Sequence, residues 1–183
     1  SIYGAPLLHM RNQPFILISQ SGKSPDLLMS AEAARKAGAL VIAFVNDASS
    51  PLAGLAEIVV PLHAGPEKSV AATKSYIATL CAFAHFVGEW TRNSEMQQAV
   101  ERLPGMLKAA WGLDWSDGVE MLKDAQSMFV LGRGLTLGVA QEAALKFKET
   151  SGIHAEAFSM AEVVHGPMAP VKSGFPLLIT PPL

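Results

Sequence analysis

The sequence predicts an α/β protein built from two consecutive parallel-sheet units flanked by helices. Three observations carry this. Apolar runs of strand length recur at Phe15-Ile16-Leu17-Ile18, Leu40-Val41-Ile42-Ala43-Phe44-Val45, Ile58-Val59-Val60, Met128-Phe129-Val130-Leu131 and Phe175-Pro176-Leu177-Leu178-Ile179-Thr180. Continuous apolar runs mark strands buried on both faces of a parallel sheet. Helical patterns separate them, as in right-handed βαβ units. Finally, 50% of the 183 residues are hydrophobic and only 16% are charged, which suits a filled core and argues against disorder.

Charge and cysteine content narrow the function classes. The net charge is −2 with no basic block, so nucleic acid is not an expected partner. The single cysteine, Cys81, excludes an intrachain disulfide framework and fits a reducing compartment. It sits in an apolar run with no feature that would lower its pKa, so it reads as packing, not as a nucleophile. No apolar run is long enough to span a bilayer, and the N-terminus has no signal-peptide pattern. A cytoplasmic location without membrane attachment is the expectation.

In chain order, residues 1–14 carry no strong pattern and read as the tail of an element that begins elsewhere. The first strand ends abruptly in Ser19-Gln20-Ser21-Gly22-Lys23. A helix then opens with Ser24 as N-cap, Pro25 at its first position and Asp26 in its first turn. The free N–H groups of such a start favour an anion, and Ser19, Ser21 and Ser24 add hydroxyls. The spacing is neither a P-loop nor a dinucleotide fingerprint. Two readings stand: a phosphate cradle, or an ordinary strand-to-helix turn with capping serines. The helix carries Leu27, Leu28, Ala31 and Ala34 on one stripe and should stop at Gly38. After the second strand, Ser49-Ser50-Pro51 starts a short helix ending near Ala56, and the third strand follows.

His63-Ala64-Gly65-Pro66-Glu67-Lys68-Ser69-Val70-Ala71-Ala72-Thr73-Lys74 begins as a loop. It feeds a long helix to about Trp90, with Ile77, Leu80, Cys81, Ala84 and Val87 facing inward. Ser94-Glu95 caps further helical segments that continue to about Asp124 and break at Pro104-Gly105. Trp111 and Trp115 there are expected to be packing residues. The domain division is residues 1–92, a helical connector 93–126, and 127–183. In the last, the strand Met128–Leu131 runs into Gly132-Arg133-Gly134 and a helix from about Leu137 to Ser151. A short helix holding Glu162 follows.

On the helix 137–151, Glu142, Lys146 and Glu149 share one face. They form either a solvated charge stripe or the wall of a cleft. In a cleft, Lys146 would favour the ionised Glu149 while desolvation opposed it. A carboxylate so balanced can carry a proton between neighbouring carbon atoms. His154, Glu156, Glu162 and His165 match no metal-ligand spacing. His165-Gly166-Pro167 reads better as a loop presenting an imidazole for proton transfer. His154 and Glu156 would hold their segment by hydrogen bonds. His63 and His85 lie in apolar surroundings and read as structural. No cofactor or metal is called for.

Several of these stretches together resemble one family. Ile18-Ser19-Gln20-Ser21-Gly22-Lys23-Ser24-Pro25-Asp26 resembles the phosphosugar-binding loop of sugar isomerase (SIS) domains, and residues 64–74 resemble that domain's second loop. Leu131–Gly134, Glu142–Glu149, His154–Phe158 and Glu162–Pro167 are similar to the second SIS domain of glucosamine-6-phosphate synthase and its relatives. The likeness runs in order along nearly the whole chain. It implies two tandem flavodoxin-like SIS units, both incomplete in this chain.

The resemblance also implies roles. Ser19, Gln20, Ser21 and Ser24 match positions that bind a sugar 6-phosphate, and Val70 matches a residue whose backbone touches the sugar. Glu149 matches the base that shuttles a proton between C1 and C2, and Lys146 the lysine beside it. His165 matches a ring-opening histidine that comes from the neighbouring subunit, which implies a homodimer with a shared active site. Ala72, where the synthase has a serine, and Lys23-Ser24-Pro25 depart from the synthase. They look more like the branch that removes amines: SIS-type amino-sugar-phosphate deaminases and deglycases. The expected chemistry is conversion of an amino-sugar 6-phosphate, of the glucosamine 6-phosphate type, to fructose 6-phosphate and ammonia. The alternatives are the isomerase part of a glutamine-dependent synthase and a non-catalytic sugar-phosphate sensor. The family's opening strand and its C-terminal Schiff-base lysine have no counterpart in these residues.

Overall fold

The computed structural model describes residues 9–166 and 168–181; Pro167 and residues 1–8 of the N-terminal stretch lie outside them. The chain divides into two compact units, residues 1–109 and 110–183.

In the first unit, β1 (Pro14–Ser19), β2 (Leu40–Val45) and β3 (Ile58–Pro61) form a parallel sheet in the order β1-β2-β3. Pairing runs in register from Pro14 opposite Leu40 and from Ile42 opposite Ile58. Side chains alternate across a strand, so β2 feeds two cores. Val41, Ala43 and Val45 pack with Leu17, with Ala31 and Ala34 of α1 (Pro25–Lys36) and with Leu52 and Ala53 of α2 (Pro51–Leu55). Ile42 and Phe44 pack on the other face against Ala78, Ala82, Phe83 and Phe86 of α3 (Thr73–Thr91). Phe44 stacks on Phe83 with ring centroids 4.4 Å apart and meets Phe86 edge-on at 6.1 Å.

Two expectations are corrected here. The inward face of α3 is Ala78, Ala82, Phe83 and Phe86, whereas Ile77, Leu80 and Val87 are exposed. The helix is apolar around most of its circumference, so its sequence defines no unique stripe, and the aromatic contact with Phe44 selects the face. In the central β2, residues 41–45 are buried and Leu40 at its start is exposed; in β1, Ile16 and Ile18 are exposed, because β1 is an edge of this three-stranded sheet.

Arg92, with φ 51°, ends α3, and the Asn93 side chain accepts the Glu95 and Met96 amides. Asn93, not Ser94, therefore caps α4 (Ser94–Trp111). This helix runs through Pro104 instead of breaking there. A proline forfeits one backbone donor; here the interruption falls beside residues that line a hollow against α3, Val100, Leu103 and Leu107. Trp111 is 91% exposed and Trp115 64%, so the expected packing role is not met within the chain. No helix among the described residues is long and apolar enough to cross a membrane.

In the second unit, α5 (Ser116–Leu122) precedes β4 (Ser127–Gly132). α6 (Leu135–Lys146), β5 (His154–Ser159) and β6 (Leu177–Ile179) follow, and the sheet is parallel with order β5-β4-β6. Met128 and Val130 pack with Ala140, Ala144, Ile153 and Ala155. Phe129 and Leu131 pack with Val163 and Phe175 on the other face. β5 was not expected as a strand. Its alternation of exposed His154 and Glu156 with buried Ala155 is the period-two signal that could have found it. The backbone N–H of His154, bonded to Gln126 at 3.0 Å, holds this segment; the expected side-chain bonds of His154 and Glu156 are not among the described contacts. His63 and His85 are exposed, not packed.

Phe44→Ala removes a fully buried ring from the centre of the first unit, and such a truncation costs about 3–5 kcal/mol. Chemical denaturation should show a loss of that size; a loss under about 1 kcal/mol would mean that the Phe44–Phe83 stack does not organise this core.

Candidate functional site

Parallel pairing puts the C-terminal ends of β1, β2 and β3 on one edge of their sheet, where α/β proteins bind ligands. Three segments meet there. The first is 19–24. Ser19 is buried and its hydroxyl accepts the Gly22 amide at 2.9 Å, while Ser21 Oγ accepts the Lys23 amide at 3.3 Å. Ser24 is the N-cap of α1 with Pro25 behind it, and its side chain makes no cap hydrogen bond. Gly22 is required. Its φ is +63°, and a Cβ there would lie 2.1 Å from Ser50 Oγ.

The second segment, 46–52, locks onto the first. Leu52 N–H donates to the Gly22 carbonyl at 3.0 Å, and Lys23 Nζ lies 3.8 Å from Asp47. The Ser49 hydroxyl first, then its amide, hold the Asp47 carboxyl below the ordinary 3.8.

The third segment, 62–72, is tied at both ends. Asn46 Nδ2 donates to the Gly65 carbonyl and Asn46 Oδ1 accepts the Ala64 amide, each at 2.8 Å. The Glu67 carboxylate accepts the Ser75 amide at 2.8 Å and the Ser75 hydroxyl at 3.0 Å. Val70 stands 96% exposed between these ties. Spacing alone did not single out Asn46 and Glu67, because each acts on backbone groups distant in sequence.

In the second unit, α6 continues without a break into a π-helical turn, Phe147–Ser151, closed by Gly152 at φ 67°. Such turns gather at functional sites. Lys146 Nζ lies 2.6 Å from Glu149 Oε2 and 3.3 Å from Glu142 Oε1. The three side chains are only 19–30% exposed, so this is a partly sheltered cluster and not a fully solvated stripe. The hydrogen bond from Lys146 to Glu149, followed by Glu142, raises the lysine pKa above its ordinary 10.5 against the lowering effect of burial.

His165 lies in a 3₁₀ turn, Val163–His165, and is exposed. Its backbone N–H bonds the Glu162 carbonyl at 2.9 Å; no described contact joins its ring to Lys146 or Glu149. Glu162 stands at the head of this turn instead of inside a helix. Among the described residues, no three His, Cys, Asp or Glu side chains come together as a metal would need.

The second unit's own strand-to-helix turn is closed on itself. A Cβ on Gly132 would lie 2.5 Å from the Thr136 carbonyl oxygen, and Thr136 Oγ1 accepts the Arg133 amide at 3.0 Å.

The family profile described as SIS domain matches residues 4–87 and 121–180. The chain is 36% identical over 178 residues to the glutamine–fructose-6-phosphate aminotransferase (isomerizing) of Thermococcus kodakarensis, covering 91% of this chain and 30% of that protein. A crystal structure of a candidate phosphosugar isomerase from Silicibacter pomeroyi superposes with a TM-score of 0.90 at 43% identity, over 97% of this chain and 54% of the other. Glucosamine-6-phosphate deaminase from Thermotoga maritima superposes with a TM-score of 0.78 at 25% identity, over 97% and 55%. The chain thus spans about a third of the curated relative's length. With a profile match on both sheets and the α/β architecture of its structural neighbours, the chain belongs to the SIS-domain family.

Proposed function

We propose that this protein converts an amino-sugar 6-phosphate to the ketose 6-phosphate with loss of ammonia. The observation that carries this reading is the ion-paired Glu142–Lys146–Glu149 cluster at the π turn. A stripe that only solubilised a helix would not need it. The likeness to a glucosamine-6-phosphate deaminase and to an isomerizing aminotransferase supports the substrate class.

In this reading, the turn of residues 19–24 anchors the phosphate. Ser19, Gln20, Ser21 and Ser24 line it, with hydroxyls and helix-start N–H groups as donors. His165, acting from the neighbouring subunit of a homodimer, assists opening of the sugar ring. Glu149 removes the proton from C2 of the open-chain sugar, the electrons of that bond form the C1=C2 double bond of an enolamine, and the aldehyde oxygen on C1 takes up a proton. The proton returns to C1 as the nitrogen lone pair forms a C2 iminium, and water hydrolyses the iminium to a ketone and ammonium. Lys146 is a permanent positive charge beside the base. A positioned acid–base group of this kind contributes about 10²–10⁴-fold.

The second reading is the isomerase portion of a glutamine-dependent aminotransferase, favoured by the 36% identity to such an enzyme. Both readings use the same C1–C2 proton transfer. They differ in whether ammonia leaves the sugar or arrives from glutamine.

The complete protein given glucosamine 6-phosphate should release ammonia without glutamine; formation of glucosamine 6-phosphate only when glutamine is supplied would select the second reading. Glu149→Gln should lower kcat by about 10²–10⁴-fold and leave sugar-phosphate binding within a few-fold. Unchanged turnover in this variant would rule out Glu149 as the base; sugar-phosphate binding with no turnover even in the wild type would point to a sensor.

The pH profile gives a further check. Lys146 has a raised pKa, so its charge and the ion pair are fully present below 10.5 and are lost only as pH rises through the raised value. The kcat/KM profile should show no alkaline limb from this lysine at or below pH 10. A limb near pH 8 to 9 that disappears in Lys146→Met would contradict the assignment.

A further inference from the structure

The segment 68–72 lies between two unusual anchors. The helix behind it, α3, begins after Ala72, whose methyl side chain cannot cap it. The first turn of a helix leaves its N–H groups without intrahelical partners, and an N-cap side chain ordinarily accepts one of them. Here the acceptor is Glu67, reaching forward from upstream of the N-cap. Its carboxylate takes the Ser75 amide at 2.8 Å and the Ser75 hydroxyl at 3.0 Å. The Glu67 side chain is 6% exposed, and Ser75 is buried. Lys74 completes the closure: its Nζ donates to the Pro66 carbonyl at 2.7 Å and lies 4.0 Å from the Glu67 carboxylate. Residues 67 to 75 therefore form a ring closed by a charge-assisted hydrogen bond. The Asn46 ties at Ala64 and Gly65 hold the approach to that ring on the edge of β2.

We infer that Glu67 is a positioning residue: by capping α3 from upstream, it holds the backbone of residues 68–72 in the geometry that receives the sugar. This rests on the proposed function for the identity of the ligand. Its structural part, that Glu67 holds the loop, does not. The chemistry is economical. Helix-start amides are weakly positive, and a carboxylate accepts two donors at once, which an alanine N-cap cannot do. Within the segment it secures, Val70 stands wholly in solvent and Ala71 is buried. The anchor acts on the segment 68–72 and not on the turn of residues 19–24, which carries its own ties to Leu52 and Asp47. Loss of Glu67 therefore separates sugar recognition from phosphate recognition.

The test uses the complete protein as wild type, Glu67→Ala and Glu67→Gln. Gln keeps an oxygen that can accept the Ser75 amide; Ala does not. In Glu67→Ala, the amides of residues 68–75 should exchange with deuterium at least tenfold faster than in wild type. The affinity for glucosamine 6-phosphate should fall at least tenfold while that for inorganic phosphate stays within twofold. Glu67→Gln should recover most of both losses. Unchanged exchange in Glu67→Ala overturns the inference, and so does an equal loss of affinity for inorganic phosphate and for the sugar phosphate. A wild-type protein that binds inorganic phosphate but no sugar 6-phosphate removes the proposed substrate; faster exchange in Glu67→Ala would still establish the cap.

Discussion

Parallel pairing of β1, β2 and β3 is the constraint on which the first unit's site depends. Parallel strands end on the same edge of their sheet, so three segments far apart in sequence are delivered to one rim. The rim is then stitched by specific contacts. Leu52 donates to Gly22, Lys23 faces Asp47, and the Asn46 amide pairs with both Ala64 and Gly65. Gly22 shows how tight the stitching is, since the space for its Cβ is already occupied by Ser50. The cores on either face of β2 hold this rim rigid from below, through Leu52 on one side and the Phe44–Phe83 stack on the other.

The second unit uses the same architecture differently. Its strand-to-helix turn is sealed by Gly132 and Thr136, and its charged cluster lies at the far end of α6. There the helix loosens into a π turn and sets Glu149 against Lys146. One unit offers a helix start preceded by Ser19, Ser21 and Ser24. The other offers a carboxylate beside a fixed ammonium.

Much of this was legible in the sequence, and the rest was hidden for physical reasons. The strands β1 to β4, the start of α1 at Ser24-Pro25 and the cap at Ser50 depend on local composition, and local composition names them. The Glu142, Lys146, Glu149 spacing marked one helix face, but whether that face was sheltered depends on tertiary packing. β5 was missed because its alternation was read as a polar run of candidate ligands. The inward face of α3 was misjudged because an all-round apolar helix takes its orientation from its partner, here Phe44. The reach of Glu67 to Ser75 and of Asn46 to Ala64 and Gly65 could not be read from spacing, since neither follows a helical or strand period.

The account turns on breaking the C2–H bond of an amino-sugar 6-phosphate with Glu149 as base. The most direct measurement supplies the complete protein with glucosamine 6-phosphate deuterated at C2 and follows ammonia release and the fate of the label. The account predicts a slower turnover than with unlabelled substrate and fructose 6-phosphate carrying the label at C1 or having lost it to solvent, both abolished in Glu149→Gln. Ammonia release at an unchanged rate from substrate that keeps its deuterium at C2, or no reaction at that carbon at all, would contradict it.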